Sequence, residues 1–333
     1  MLIKTTKINR ENSIMKKLFF LTTSFFVFFI VFSFGSDAKY KNIPERGFIS
    51  SEQAKTWEQG LICGNGTIGA NVLSRPLDET IIFSHERLFL PKGPPLMPPD
   101  NAARLFEIRR LIDRGLYKQS AELAFDLSGQ DGFMYPDPFV PAFDLNIQTE
   151  KEGQIKDYMR SVNFQTGEAS VQWEDQGGKF GRRIFVSRAD GIAVLLITGP
   201  KKGSLHCRLN LKPRNPSHHL DARQIQSSYR VFSSHVSDIK TRADKNNLTF
   251  RNRFSRAYPG SIHALEGVAH VIADNGTVTS ERDTLRVTGA HKLLVLIDIE
   301  MIYDPENSKT EDMIQHISSL PADYNTLLKR HTD

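Results

Sequence analysis

Beyond residue 142 apolar and polar positions alternate with a period of two, the pattern of strands with one face on a core. It predicts strands over 143–149, 158–164, 169–173, 179–187, 192–198, 204–211, 248–254, 262–273, 284–287 and 292–299. Gln176-Gly177-Gly178, Asp190-Gly191 and Asn275-Gly276 supply turns between several of them. Earlier in the chain, 64–73 is Gly-rich and ends in an apolar strand, and 80–84 (TIIFS) is a further strand. The period changes to that of a helix over 100–114, where Asp100 is the expected cap, Leu105, Ile108, Leu111 and Ile112 share a face, and Gly115 is the stop. A second helix is expected over 116–127. Two Pro-rich stretches flank the pair, 91–99 (PKGPPLMPP) and 129–143 (GQDGFMYPDPFVPAF). The polar, basic stretch 213–247 has weak periodicity and is expected to be loop, and 310–333 returns to a helical pattern starting at Thr310 or Pro321. The fold class is therefore mainly β: a large antiparallel β-super-sandwich with two inserted helices near 100–128 and a C-terminal helical segment.

Residues 18–34 are an uncharged run rich in Phe, Leu, Val and Ile, preceded by Lys16 and Lys17 and followed by small residues. That is the make-up of a secretory signal over 1–38, with Met15 as an alternative start and a retained membrane anchor as the alternative to cleavage, and it implies export to a periplasmic or extracellular location. The expected layout is signal 1–38, sandwich 39–302 and helical linker 303–333. The formal charge of +5 resides mostly in the leader: without residues 1–35 the chain holds 38 basic and 37 acidic side chains. The basic excess of a nucleic-acid binder thus disappears, and no membrane partner is expected once the signal is cleaved. Cys63 and Cys207 exclude a disulfide scaffold and a multi-cysteine metal module, and leave open whether the two pair with each other.

Candidate chemistry is sparse. Residues 64–70 (GNGTIGA) carry the glycine spacing of a dinucleotide fingerprint, but a strand rather than a helix is expected to follow, so a tight turn is the simpler reading. His85 and Glu86 precede an apolar run and could serve acid–base work or hold a sugar hydroxyl, or form a surface pair at a loop edge. In the aromatic loop, Phe133, Tyr135, Asp137, Phe139 and Asp144 place rings beside carboxylates, which suits pyranose stacking with hydroxyl hydrogen bonds, or a loop pinned on the core by its aromatics. Trp57 beside Glu58 reads as a core aromatic, with a sugar-stacking face as the alternative. His218, His219 and His235 lack the spacing of a metal site, so neither metal nor cofactor is expected.

Four segments in order carry a resemblance: WEQGLICGNGTIGANV (57–72), DETIIFSHERLFLP (78–91), LFEIRRLIDRGLYKQSAELA (105–124) and YPDPFVPAFDLNI (135–147). Together they resemble the N-terminal domain of glycoside hydrolase family 95, known chiefly for α-L-fucosidases with some α-L-galactosidases. The G-N-G-x-x-G-A turn matches at 64–70 and the helix matches at Leu105, Ile108, Arg109, Leu111 and Gly115. The chain departs where His85–Phe89 replace an Asn-Glu-x-Thr-x-Trp element, keeping only Glu86, and where Phe143 stands for a glycine. The resemblance implies a β-super-sandwich, a helical linker and then an (α/α)6 barrel, whose general acid and water-activating pair invert the anomeric centre. Residues 321–333 resemble the linker helices before that barrel, so none of the family's catalytic positions falls in this chain and none is assigned. The expectation is an exported domain that meets its glycan through the barrel and is inactive alone. The substrate-binding candidates are His85, Glu86, Tyr135 and Asp137. The rival expectations are a free-standing carbohydrate-binding sandwich and a gene remnant.

Overall fold

The computed structural model describes residues 43–333 except 92–99, 130–136, 202, 215–234 and 257. Two antiparallel sheets carry the fold. The first has nine strands in the order β1 (Gly47–Ser50), β6 (Lys156–Asn163), β7 (Glu168–Asp175), β8 (Gly178–Val186), β9 (Ala193–Thr198), β16 (Lys292–Ile302), β13 (Ala264–Asp274), β12 (Asn247–Phe254) and β11 (Val236–Asp244). The second has seven: β14 (Thr277–Glu281), β15 (Thr284–Ala290), β10 (Leu205–Lys212), β5 (Phe143–Thr149), β4 (Asp78–His85), β3 (Ile68–Val72) and β2 (Leu61–Gly64). Their inner faces meet in one continuous core, in which the Phe143 ring lies 5.5 Å from Phe83 and 5.2 Å from Phe250, bridging the sheets.

The nine-stranded sheet is also covered on part of its outer face. Helices α3 (Thr310–Ser319) and α4 (Tyr324–Thr332) lay Met313, Ile317, Tyr324 and Leu327 on Phe185, Val194, Val268, Leu294 and Leu296. This explains the unbroken apolar runs of β9 and β16, whose residues are buried on both faces. The sheet supplies acids and the helices supply donors. Buried Glu266 accepts from the Lys309 amide (2.7 Å) and from the Ser308 and Thr310 hydroxyls, ahead of α3, where a carboxylate also complements the helix dipole. Glu168 accepts from the Tyr324 hydroxyl (2.8 Å), and Asp190 pairs with Arg330 (2.6 Å). Pro321 separates the two helices, and Asp323 caps the second through the Thr326 amide.

Between β4 and β5 lie α1 (Leu105–Asp113) and α2 (Tyr117–Leu127). Asp100 accepts from the Ala102 amide at a 3-10 turn before α1, and Gly115, at φ 74°, ends α1 by donating to Ile112. The expected apolar face exists but stays open: neither helix buries an apolar side chain fully, and Leu105 and Ile112 are exposed.

Two expectations are corrected. Residues 236–244 form β11 and not loop, while 215–234 lie outside the described residues. As an edge strand β11 buries only Ala243, so the alternation that marks a half-buried strand is missing. Trp57 sits in a 3-10 turn and is 47% exposed, so it is not a core residue.

The cysteines do not pair. Cys63 on β2 and Cys207 on β10 are four strand spacings apart in one sheet, roughly 19 Å, which no disulfide spans. Burial pushes both thiols up to about 12. Neither should react with a water-soluble disulfide reagent at pH 8 while the protein is folded, and both should react in denaturant. Stoichiometric labelling of the native chain would contradict this packing.

Candidate functional site

Of the residues singled out in the sequence, His85, Glu86, Asp137, Phe139 and Asp144 lie toward one end of the seven-stranded sheet. His85 closes β4, paired in register with Ile68 of β3, and the Glu86 amide donates to the Thr67 carbonyl (2.8 Å). The Leu88 amide donates to the His85 carbonyl (3.0 Å), turning the chain at once. The His85 ring is buried and its Nδ1 accepts from the Arg87 amide (3.2 Å). Burial lowers its pKa and the nearby Arg87 charge adds to this, with Glu86 opposing, so the imidazole is neutral at pH 7. Glu86 is exposed and pairs with Arg87 (3.4 Å). Arg87 is held above its ordinary range by hydrogen bonding to Tyr303, and secondarily by Glu86, which ties this turn to the residue after β16.

The following residues form a strap. Leu88 and Leu90 point inward and are buried, leaving Phe89 outward. The Leu90 amide donates to the Pro138 carbonyl (3.0 Å) and the Val140 amide to the Leu88 carbonyl (3.2 Å), so 88–90 pairs with 138–140. Phe89 and Phe139 face each other across this antiparallel bridge, centroids 5.0 Å apart. They are 45% and 50% exposed. Two rings held rigidly by buried neighbours form an open aromatic surface, and exposed Asp137 adjoins it on one strand. His235 Nε2 lies 2.9 Å from the Pro91 carbonyl, and Asp144 pairs with Arg214 (3.0 Å) close to the base of β5.

The structure thus brings the 85–90 and 137–140 segments side by side, with His85 inside and Glu86 and Asp137 at the surface. Tyr135 and Phe133, like His218 and His219, lie outside the described residues. Sequence reasoning named Phe89 and Phe139 separately. It missed their pairing and the Arg87–Tyr303 link. The outward Phe between two inward residues, in L-F-L (88–90) and P-F-V (138–140), is the signal that points to the pair. The His85 imidazole is neutral and engaged by the Arg87 amide, and Glu86 is paired with Arg87. No group of three or more His, Cys, Asp or Glu side chains suited to a metal occurs among the described residues.

The glycine motif at 64–70 is a hairpin turn. β2 and β3 are antiparallel neighbours with Gly64 opposite Gly69, so the strand-to-helix context of a dinucleotide loop is missing. Gly66 takes φ 97°, and Asn65 Oδ1 accepts from the Thr67 and Ile68 amides while its Nδ2 donates to the Ser187 carbonyl (2.9 Å).

Two antiparallel sheets with helices packed behind the last strand and an exposed aromatic pair at one end make this a β-sandwich domain. Residues 49–306 match the family described as glycosyl hydrolase family 65, N-terminal domain, and the chain belongs to it. The motif resemblance drawn to family 95 therefore stands at the coarser level of a glycoside hydrolase N-terminal domain. The chain is 25% identical over 162 residues to "Alpha-L-fucosidase 2" of Arabidopsis thaliana, an alignment covering 47% of this chain and 18% of that protein. A solved structure named "Putative kojibiose phosphorylase from human microbiome" is 10% identical with a TM-score of 0.49, covering 87% of this chain and 38% of that one.

Proposed function

We propose that the chain is the N-terminal sandwich of an exported α-L-fucosidase-like hydrolase of the family 95 type, acting on terminal α-L-fucose or α-L-galactose. The observation that carries this reading is the alignment to a protein named as an α-L-fucosidase, over 162 residues. The four ordered motifs, from the G-N-G-x-x-G-A turn to the opening of β5, support it. Residues 1–38 act as the signal, the sandwich runs to 302, and 303–333 lead toward the barrel that holds the acid and base. Among the described residues no helix is long and apolar enough to cross a membrane.

On this reading the isolated chain binds at most and does not hydrolyse. Enzymatic acceleration asks for a barrier reduction of about 8 kcal/mol or more, and on this reading the acid and base that supply it belong to the barrel. The purified chain should release no product from an aryl α-L-fucoside above the buffer rate; measurable turnover would reject the proposal of inactivity. Sequencing the locus past the codon for Asp333 should reveal barrel-coding sequence, directly or after a frameshift. Unrelated sequence there would favour the free-standing binder.

That second reading has one specific observation behind it, the exposed Phe89–Phe139 pair. A glycan array separates the two readings: specific retention by the chain, lost in Phe89→Ala with the fold intact, supports the binder.

A further inference from the structure

We propose that His331 makes the C-terminal helix an acid-released clasp, closed while the imidazole is neutral and opened when it takes a proton. The ring is buried and stacks on Phe185 of β8, centroids 5.2 Å apart. Its Nδ1 accepts from the Arg188 amide (3.1 Å), and the Arg188 guanidinium donates to the His331 carbonyl (2.8 Å). Its Nε2 faces the turn between β6 and β7, close to Gly167, where the Thr166 carbonyl accepts from the ring. An imidazole that accepts at Nδ1 and donates at Nε2 is the neutral Nε2–H tautomer. Adding a proton at Nδ1 sets two donors against each other at hydrogen-bond distance and puts a second cation beside Arg188.

The surrounding charges do not relieve this. From β7, Glu168 is taken by Arg183 of β8 (2.5 Å), the Tyr324 hydroxyl and the Thr166 hydroxyl. From the loop after β8, Asp190 is taken by Arg330 of the helix (2.6 Å) and by Ser187 (2.8 Å). Arg183 lies over the Tyr324 ring. The two carboxylates pull the His331 pKa upward but burial and Arg188 outweigh them, and the net shift is downward. A histidine whose folded pKa lies below its unfolded value contributes stability that is complete above about pH 6.5 and is lost as pH falls below it. Acid therefore loosens the last turn of α4 first, while the two-sheet core stays closed.

Hydrogen exchange on the full chain from pH 7 to pH 5, corrected for intrinsic pH dependence, tests this. Amides of 327–333 should lose protection several-fold as pH falls, and those of β5 should not. His331→Gln, whose Oε1 can accept from Arg188 and whose Nε2 can donate to Thr166, should keep that protection across the range. Equal loss in both proteins overturns the proposal, as does unchanged protection in the wild type. Should the glutamine variant fail to dock its helix, the NMR titration of His331 decides. A midpoint at or above that of a model histidine, with the helix still docked, overturns the clasp; a lower midpoint coinciding with helix release supports it.

Discussion

Arg182→Ala should destabilise the protein by about 3–5 kcal/mol, the cost of breaking a buried ion pair from one side. Arg182 on β8 and Glu79 on β4 join the two sheets through the core, and their side chains are 3% and 0% exposed. The guanidinium donates to Glu79 Oε2 (2.9 Å), the Arg75 carbonyl (2.7 Å), the Pro76 carbonyl and the Thr149 hydroxyl (3.4 Å). It also lies 4.7 Å from the centre of the Trp173 ring. Burial pushes the Glu79 carboxyl up and the Arg182 guanidinium down, and the pairing offsets this cost for both, so Glu79 depends on Arg182 to remain charged. Truncation at 182 strands a carboxylate and two carbonyls in an apolar core and leaves a void beside Trp173. Glu79→Gln should be milder, since the amide oxygen still accepts from Arg182. The double variant Arg182→Met with Glu79→Leu should recover part of the loss but not all, because the Arg75 and Pro76 carbonyls keep no partner. Urea unfolding monitored by tryptophan fluorescence measures all three. A loss below about 1 kcal/mol for Arg182→Ala would show that the pair is not the junction described.

Legibility in the sequence followed how local the cause of each element is. β5 was predicted over 143–149 and occupies those residues, because one face meets the core and alternation results directly. β11 left no such trace, since an edge strand with one buried residue has little reason to alternate. The short β1 and β14, also edges, were likewise not predicted. The helical character of 310–333 was legible from its period. That its helices dock on the outer face was written elsewhere, in the doubly apolar strands β9 and β16, and only the three-dimensional pairing joins the two facts. The candidate site behaved in the same way. His85, Glu86 and Asp137 were legible as residue types suited to sugars, but whether each is buried or exposed depends on a strap joining residues about fifty positions apart. The Arg87–Tyr303 link spans a far longer stretch of chain and has no local signal at all.

Gly267 carries the second large expectation. It lies at the middle of β13, opposite Phe250 on β12 and Ile299 on β16, with its missing side chain directed at the core. A glycine inside a central strand is usually a weakness of about 0.5–1 kcal/mol relative to alanine, so alanine here would ordinarily be expected to help. The neighbourhood reverses the sign. A methyl group at 267 would overlap the edge of the Phe143 ring. That ring is fully buried and held between Phe83 and Phe250, so it has no free direction in which to withdraw. Gly267→Ala should therefore destabilise by about 1–3 kcal/mol, the usual result of overpacking a closed core. Phe143→Leu alone should also destabilise, by leaving a cavity between the sheets. Combined, the two should cost clearly less than their sum, with a coupling of about 1 kcal/mol or more, because the smaller side chain vacates the space the methyl group needs. The four proteins form a double-mutant cycle readable by urea unfolding. Strict additivity, or a stabilised Gly267→Ala, would mean that the aromatic cluster can yield and that Gly267 serves the backbone rather than the ring.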